Sequence, residues 1–269
     1  MIVQGSMHVD AYQAVMSNLN RYLLNTDRIK DGPSCFYSYT KAYGFDTRTD
    51  LVAMFRLQKV LIENILPALT SSRIVLMQFP INLRYIHPET GFGVDTGNSY
   101  CPLIPHMDIW SGSPFGSKNF FAHILCDSAS TRFFVAPEPI TDNLRCDYRG
   151  PYSDAPKVKC AEKDEIGQFP GSFACWPANT VHHLSMGKNP SLSIDFRFVD
   201  RDIGKFMAEL PSELDETTSP TLSSLCYLPT SWFSSDRLTP DYNIYEKERS
   251  CLARLVRKFV EHHYASILR

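Results

Sequence analysis

The sequence predicts a mainly antiparallel β domain, a barrel or a sandwich, with helices flanking it at both ends. Three observations predict this class. From about residue 73 the chain alternates short apolar runs with Gly, Pro, Asn and Asp, which is typical of short strands joined by turns. The regions before residue 72 and after residue 244 instead repeat apolar residues at helical spacing. The length of 269 residues, 43% of them hydrophobic, fits one domain.

The first part of that domain, residues 7–72, is expected to be helical. Apolar residues recur every three or four positions over residues 8–25 and again from Thr47 to Leu69. A C-terminal helix is predicted over residues 244–269, where Leu252, Leu255, Val256 and Phe259 form one stripe. We assign no function to residues 1–7.

The strands are expected within residues 73–200, which would form the β core. Six apolar runs mark them: RIVLMQF, NLRYIH, NFFAHIL, TRFFVA, GSFACWP and LSIDFRFV. Residues 209–243 are rich in Pro, Ser, Thr and Asp and predict a long irregular segment. Long loops in compact domains commonly serve as lids or substrate loops, so we expect that role here.

Composition excludes several function classes. The formal net charge is −2, with 27 basic and 29 acidic residues and no long run of either sign, so a nucleic-acid partner is not expected. No window is long and apolar enough for a membrane span. The eight cysteines are scattered without CxxC spacing, which favours reduced thiols over a zinc site or a disulfide framework. These features predict a cytoplasmic protein.

A pair of metal-binding residue types stands out in the segment from Pro105 to Trp110. Residues two apart on a strand point to the same face, so His106 and Asp108 are expected to chelate one ion together. A third ligand is needed, and either His182 or His183 could supply it from a following strand. Two imidazoles and one carboxylate on one side of a metal, with open positions opposite, form the arrangement of non-haem Fe(II) oxygenases.

The last predicted strand has one polar face, formed by Ser193, Asp195 and Arg197. A polar face that points inward is costly unless it meets a ligand or a partner. The planar guanidinium of Arg197 suits a carboxylate, and we expect it to anchor one. The alternative is an ion pair of Arg197 with Asp195 or with a surface acid.

Taken together, these residues resemble the Fe(II)/2-oxoglutarate-dependent dioxygenase superfamily. The shared pattern is HxD, then a histidine, then an arginine. The fuller string His106-x-Asp108-x-Trp110-x-Gly112-x-Pro114, followed by Asn119, Phe-Val-Ala-Pro137 and Ser-Ile-Asp-Phe-Arg197, is similar to a subgroup typified by a streptomycin-biosynthesis protein. The resemblance covers roughly residues 100–200.

The resemblance implies a double-stranded β-helix, or jelly roll, and a set of residue roles. It makes His106, Asp108 and His182 the ligands of Fe(II), because the approach Pro177-Ala-Asn-Thr-Val resembles the one that precedes the family's histidine. It makes Arg197 the anchor of the 2-oxoglutarate carboxylate. The residues that it places beside that cosubstrate pocket are Ser193, Asn119 and Trp110.

The chain also departs from the family at one position. Relatives often carry a further arginine where this chain has Ser191, so a second carboxylate or substrate anchor must come from elsewhere. Arg84 and Tyr85 precede the motif and are adjacent, so only one of them is expected to line the pocket. His123 would face the interior if it shares a face with Asn119, although a strand histidine is more often a hydrogen-bonded core residue.

The default reaction implied by the resemblance is the hydroxylation of an unactivated C–H bond of a small molecule in specialised metabolism, with dioxygen as the oxidant. Desaturation, ring formation and epimerisation stay open, because they depend on the pose of the substrate and not on the metal ligands. Two alternatives stay open from the residues themselves. One is a cupin-like metalloenzyme without 2-oxoglutarate, which would keep the three metal ligands and not need Arg197. The other is a non-catalytic ligand-binding barrel, in which the histidines are ordinary polar residues.

Overall fold

A computed structural model describes residues 2–22, 48–70, 76–79, 81–86, 101–111, 113, 116–148, 150–161, 164–200 and 226–229. The predicted C-terminal helix over 244–269 lies outside these residues, as does most of the predicted loop over 209–243. Among the helices in the described ranges, none has the length and apolar character that a membrane crossing requires.

The described parts of the N-terminal region are mainly helical, in agreement with the periodicity of their apolar residues. Helix α1 spans Val9–Tyr22, and helix α2 spans Arg48–Asn64. The second predicted helix is interrupted, because a short separate helix, α3, spans Leu66–Leu69. Pro67 stands in the first turn of α3, where proline is tolerated, whereas it would break the interior of one continuous helix.

Within the described residues, the strands form one seven-stranded and one two-stranded sheet. In chain order they are β1 (Val3–Ser6), β2 (Leu76–Phe79), β3 (Asn82–Ile86), β4 (Lys118–Leu125), β5 (Arg132–Val135), β6 (Ser172–Pro177), β7 (His182–Ser185), β8 (Ser191–Val199) and β9 (Cys226–Pro229). The larger sheet has the order β1-β6-β4-β8-β2-β9, with β3 also paired to β8. Strands β5 and β7 form the smaller sheet, and every pairing is antiparallel.

The larger sheet is covered on both faces, which explains why its central strands are buried along nearly their whole length. One face carries the stacked rings of Phe120, Phe173 and Phe196. The other face packs against the smaller sheet, since one buried cluster joins Phe121 and Trp176 of the larger sheet to Phe133 and Leu184 of the smaller one. The polar residues predicted to point inward lie on this second face, which we call the inner face of the larger sheet. The face with the phenylalanine stack is its outer face.

The helices contact the larger sheet through polar groups at its backbone. The hydroxyl of Tyr12 on α1 donates to the carbonyl of Ile124, at 2.8 Å. The amide of Gln58 on α2 donates to the carbonyl of Gln78, also at 2.8 Å. A short helix, α4 (Asn143–Cys146), lies between β5 and β6 and is capped by the side chain of Asp142, which accepts from the backbone N–H of Leu144.

The mainly antiparallel β class is confirmed, and the closure of the sheets into a jelly roll stays a prediction. The structure contains two strands that the sequence analysis did not identify. Residues Val3–Ser6, to which no role was assigned, form an edge strand paired with β6. The segment Cys226–Pro229, inside the predicted irregular loop, is a strand paired with β2. Both are exceptions to the sequence pattern because edge strands are short and gain their stability from the neighbouring strand.

The aromatic stack on the outer face of the larger sheet should contribute strongly to stability. Phe120 is fully buried and stacks on Phe196, with ring centroids 4.7 Å apart. We expect Phe120→Ala to lower the free energy of unfolding in urea by about 3–5 kcal/mol, because the truncation leaves a cavity. The matched control is Phe169→Ala, whose ring is 49% exposed and whose loss should cost less than about 1 kcal/mol. Equal losses in the two variants would contradict the assigned core.

Candidate metal centre

Two histidines are brought together by a reciprocal pair of backbone hydrogen bonds. The N–H of His106 donates to the carbonyl of His182 at 3.0 Å, and the N–H of His182 donates to the carbonyl of His106 at 2.9 Å. This isolated bridge joins the segment before β4 to the start of β7. Because directly opposed residues of an antiparallel pair point to the same side, the two imidazoles are adjacent, with centroids 4.3 Å apart.

Both imidazoles present the same ring nitrogen to the space between them. The Nδ1 atom of His106 lies 2.7 Å from the carbonyl oxygen of Ile104, and the Nδ1 atom of His182 lies 3.0 Å from that of Thr180. A carbonyl oxygen only accepts, so each Nδ1 carries the proton and donates it. In the neutral form of each ring, Nε2 therefore keeps its lone pair, which is the tautomer that a metal ligand needs.

Asp108 completes the cluster, although not in the way that the spacing predicts. The chain does not continue as a strand after His106, since Asp108 begins a 3₁₀ turn over Asp108–Ser111. The N–H of Ser113 and the hydroxyl of Ser111 both donate to the Asp108 carbonyl, and these bonds stabilise the turn. The two side chains converge because of the turn, so the expectation of a shared strand face was wrong.

The three donor atoms surround a common point. Oδ1 of Asp108 lies 3.8 Å from Nε2 of His106 and 3.5 Å from Nε2 of His182, and one ligand atom from each residue falls within 4.8 Å of the others. Adjacent ligands on one divalent metal are roughly 3 Å apart when the bonds are about 2.1 Å long. A small inward movement of the side chains would close the cluster around an ion, and two imidazoles with one carboxylate fit Fe(II).

The charge state of the cluster also favours a cation. Burial alone would raise the pKa of the Asp108 carboxyl, but the Arg197 guanidinium and the His182 imidazole outweigh it and hold that pKa well below its usual range. Burial and the neighbouring His182 hold the pKa of His106 well below its ordinary value. At neutral pH the site therefore contains an ionised carboxylate and a neutral His106, and both groups are in the form that binds a metal.

Arg197 is placed against the carboxylate of Asp108. Its Nε and Nη2 atoms lie 3.2 and 3.1 Å from Oδ2 of Asp108, the oxygen that does not face the imidazoles. Its backbone N–H donates to Oε1 of Gln78 at 3.1 Å. Arg197 therefore contacts a buried carboxylate of the candidate metal centre, and its expected role as the anchor of a ligand carboxylate stays a prediction.

Arg84 of β3 occupies the neighbouring position on the same inner face. Its Nε and Nη2 atoms contact the two carboxylate oxygens of Asp195, and the amide of Asn82 donates to the same carboxylate at 2.8 Å. The charge of Arg84 also reaches the metal cluster, since it contributes to lowering the pKa of His106. Arg84 therefore lies close to the site. Among the described residues it is a candidate for the second anchor, which relatives often supply as an arginine at the position of Ser191.

The other residues predicted to lie beside the cosubstrate separate into two groups. Asn119 faces Arg197 across the β4–β8 pair, and Ser193 lies further along the same face of β8. Both are buried, and neither side chain has a hydrogen-bond partner within the described protein. Trp110 instead packs in a core cluster behind the turn, and its indole N–H donates to the carbonyl of Arg145 at 2.8 Å. A pocket role for Trp110 stays a prediction.

His183 and Tyr152 clarify what the sequence left open. His183 points away from the cluster and stacks on Phe134, with centroids 4.8 Å apart, whereas His182 points into it.

Tyr152 stacks on His106 at 4.0 Å and fixes its ring, and burial raises the pKa of its phenol so that it stays protonated. No motif marks Tyr152 in the sequence, because its place depends on how the segment after α4 folds back.

Comparisons with known proteins give a distant likeness. No family model matches the chain, and no curated protein matches it. Among solved structures, the non-heme monooxygenase ThoJ in its apo form aligns with a TM-score of 0.49 and 10% identity, over 97% of this chain and 96% of that one.

Two further structures are similar at lower scores. The non-heme alpha ketoglutarate dependent epimerase SnoN from nogalamycin biosynthesis has a TM-score of 0.40 and 14% identity, over 74% of this chain and 78% of that one. EctD from S. alaskensis, in complex with 2-oxoglutarate and 5-hydroxyectoine, has a TM-score of 0.33 and 13% identity, over 74% and 71% of the two chains. At such identities, what this site can do follows from its own atoms.

The buried histidine on β4 gives the site region a measurable acid sensitivity. Burial lowers the pKa of His123 to about 4, from 6.5. Because the unfolded chain binds this proton and the folded protein does not, stability should fall as the pH drops from 6.5 towards 4, by on the order of 2–3 kcal/mol. In urea unfolding of the metal-free protein, His123→Gln should remove this part of the pH dependence. His8→Gln, at an exposed histidine, should keep the wild-type slope. A wild-type slope in His123→Gln would show that the ring is not held neutral by burial.

Proposed function

We propose that this protein is a non-haem Fe(II)/2-oxoglutarate-dependent oxygenase that hydroxylates an unactivated C–H bond of a small molecule in specialised metabolism. One observation carries the proposal: the Nε2 atoms of His106 and His182 and Oδ1 of Asp108 face one buried point. Three protein donors on one side leave the remaining positions of a six-coordinate iron for a chelating 2-oxo acid and dioxygen. Bound iron and 2-oxoglutarate would supply the oxidative chemistry, with succinate and carbon dioxide as co-products.

The protein's own residues hold and shelter that site. The hydrogen bonds from Nδ1 of His106 and His182 to backbone carbonyls fix both rings and their tautomer. Trp176 and Phe133 lie beside His182, with centroids 5.1 and 5.9 Å away, and exclude water from that flank. Exclusion of water protects a reactive centre from side reactions and strengthens the electrostatic contacts within it.

The substrate is proposed by class alone. A buried, polar-lined space beside a metal suits a small molecule that hydrogen-bonds to the protein at a few points. The two rival functions make separate predictions. A cupin-like metalloenzyme would bind iron and not 2-oxoglutarate. A ligand-binding barrel would bind neither, and the ionised Asp108 carboxylate between two metal-competent imidazoles gives it no support.

Anaerobic titration with Fe(II) and then 2-oxoglutarate tests the proposal. We expect stoichiometric iron binding, followed by the weak visible charge-transfer band that a 2-oxo acid produces when it chelates Fe(II). Iron binding without the band would favour the cupin-like function, and no iron binding would favour the ligand-binding barrel.

Substitution of each ligand gives a sharper prediction with a matched control. His106→Ala, Asp108→Ala and His182→Ala should each weaken divalent metal binding by more than about 100-fold, since loss of an outer-shell partner alone costs roughly 10–100-fold. His183→Ala removes the adjacent imidazole, which stacks on Phe134, and should leave metal affinity within about threefold of wild type. Calorimetric titration with Ni(II) measures both. A large loss in His183→Ala with a small loss in His182→Ala would reverse the assignment of the third ligand.

A further inference from the structure

Three polar side chains form a row across the inner face of the larger sheet. Arg84 of β3 lies directly opposite Ser193 of β8, and Ser193 lies directly opposite His123 of β4. Directly opposed residues share a face, so a guanidinium, a hydroxyl and an imidazole follow one another across three strands. This is also the face that carries Arg197, four residues beyond Ser193 on β8.

The row contains buried groups that the described protein does not satisfy. Oγ of Ser193 and both ring nitrogens of His123 are buried with no hydrogen-bond partner, although Ser193 and His123 are only 3% and 1% exposed. The amide of Asn119 and the indole N–H of Trp176 are also buried with no hydrogen-bond partner in the described protein, and these two residues lie opposite each other on β4 and β6. Native proteins rarely leave such atoms unpaired, so a concentration of them on one face indicates a polar ligand.

The two arginines on this face have different partners. Arg197 contacts Oδ2 of Asp108, and this leaves Oδ1 directed at the imidazoles. That arrangement orients the metal-binding oxygen and keeps the buried carboxylate ionised. Arg84 contacts Asp195, and Asp195 lies two residues, or roughly 6–7 Å, before Arg197 on β8. A guanidinium that binds one carboxylate along one edge can donate to a second from another edge.

Charge balance supports a dianionic ligand at the site. Arg84 with Asp195 and Arg197 with Asp108 are two pairs of opposite charge. A divalent metal would then add two positive charges, which a dicarboxylate balances.

We propose that Arg84, Ser193 and His123 form the subsite for the far carboxylate of the 2-oxo acid, and that Arg197 is a positioning residue for Asp108. The sequence resemblance gave the anchoring role to Arg197. This inference rests on the proposed function, since it concerns the cosubstrate of the same site. It assigns the carboxylate anchor to β3, the strand that pairs with β8 on the edge opposite to β4.

Two binding measurements on purified protein separate the roles of the two arginines. The first is the affinity for Ni(II) without a 2-oxo acid, measured by calorimetry. The second is the affinity of the anaerobic Fe(II)-loaded protein for 2-oxoglutarate, measured by the charge-transfer band. We expect Arg84→Met to leave Ni(II) affinity within about threefold and to weaken 2-oxoglutarate binding by roughly 10–100-fold, as expected for loss of a charged hydrogen-bond partner. We expect Arg197→Met to weaken Ni(II) binding by roughly 10–100-fold.

A ligand without the far carboxylate tests the proposed contact with Arg84 independently of the variants. 2-Oxobutyrate chelates iron in the same way but lacks the far carboxylate. It should therefore bind wild type and Arg84→Met with similar, weak affinity, whereas a general disturbance of the site would weaken both ligands in the variant. Arg84→Lys should recover part of the 2-oxoglutarate affinity, since it restores the charge without the planar donors.

Folding is controlled by matched variants. Arg84→Met leaves the half-buried Asp195 without its arginine, so the substitution is also made together with Asp195→Asn and compared with Asp195→Asn alone. Arg132→Met is the control outside the site. Arg132, on the smaller sheet, contacts Glu165 through Nε and Nη2, in the same way as Arg84 contacts Asp195. This variant should bind Ni(II) and 2-oxoglutarate as wild type does.

The outcomes distinguish this inference from the proposed function. If wild type binds Fe(II) and shows no band with 2-oxoglutarate, the proposed function fails and the subsite fails with it. If wild type shows the band and both Arg84→Met and the double variant keep full 2-oxoglutarate affinity, only the subsite is overturned. Loss of 2-oxoglutarate binding in Arg197→Met with unchanged Ni(II) affinity would return the anchor to Arg197.

Discussion

The burial of the Asp108 carboxylate is the constraint on which the rest of the site depends. An unpaired buried carboxylate is so costly that it would take up a proton and lose its value as a metal ligand. The protein avoids this by surrounding the two oxygens differently: Oδ2 contacts Arg197, and Oδ1 faces the imidazoles of His106 and His182. The 3₁₀ turn that presents the carboxylate, the bridge that joins the two histidines and the inward face of β8 are all needed for this arrangement.

The position of the site follows from the two-sheet packing. Alternation along each strand sends aromatic side chains such as Phe120 to the face of the larger sheet that is turned away from the smaller sheet, and polar ones such as Asn119 to the inner face. The inner side is not uniformly polar, because Phe121 and Trp176 pack against the smaller sheet there. The polar residues thus occupy the part of the interface where the sheets do not fill the space with apolar side chains.

Much of the candidate site was predictable from the sequence, and the reason differs from residue to residue. The inward face of β8 followed from strict alternation, which the strand pairing preserves. The proximity of His106 and Asp108 was expected from a strand geometry that does not exist, so the residue types were informative and the assumed local structure was not. His182 and His183 are equivalent by composition, and only the register of the bridge to His106 separates them.

The ion pairs could not be predicted, because they depend on which strands become neighbours. Asp195 and Arg197 are two residues apart on one face, and a local pair between them was a reasonable expectation. Each instead pairs with a residue far away in sequence, Asp195 with Arg84 and Arg197 with Asp108. Nothing in the spacing of the charges indicates this exchange, since it arises when β3 and the 3₁₀ turn approach β8 at different positions along its length.

The exchange of partners has a chemical consequence for the site. A local Asp195–Arg197 pair would have neutralised itself and left Asp108 without a cation, so Asp108 would have been neutral and weakly binding in the metal-free protein. With the partners exchanged, β8 holds both pairs: its Arg197 contacts Asp108 at the candidate metal centre, and its Asp195 contacts Arg84. One strand therefore fixes the spacing between a cation-binding point and an anion-binding point. A fixed spacing of this kind allows a rigid site to select one length of chelating dianion, because a longer or shorter ligand would meet only one of the two points.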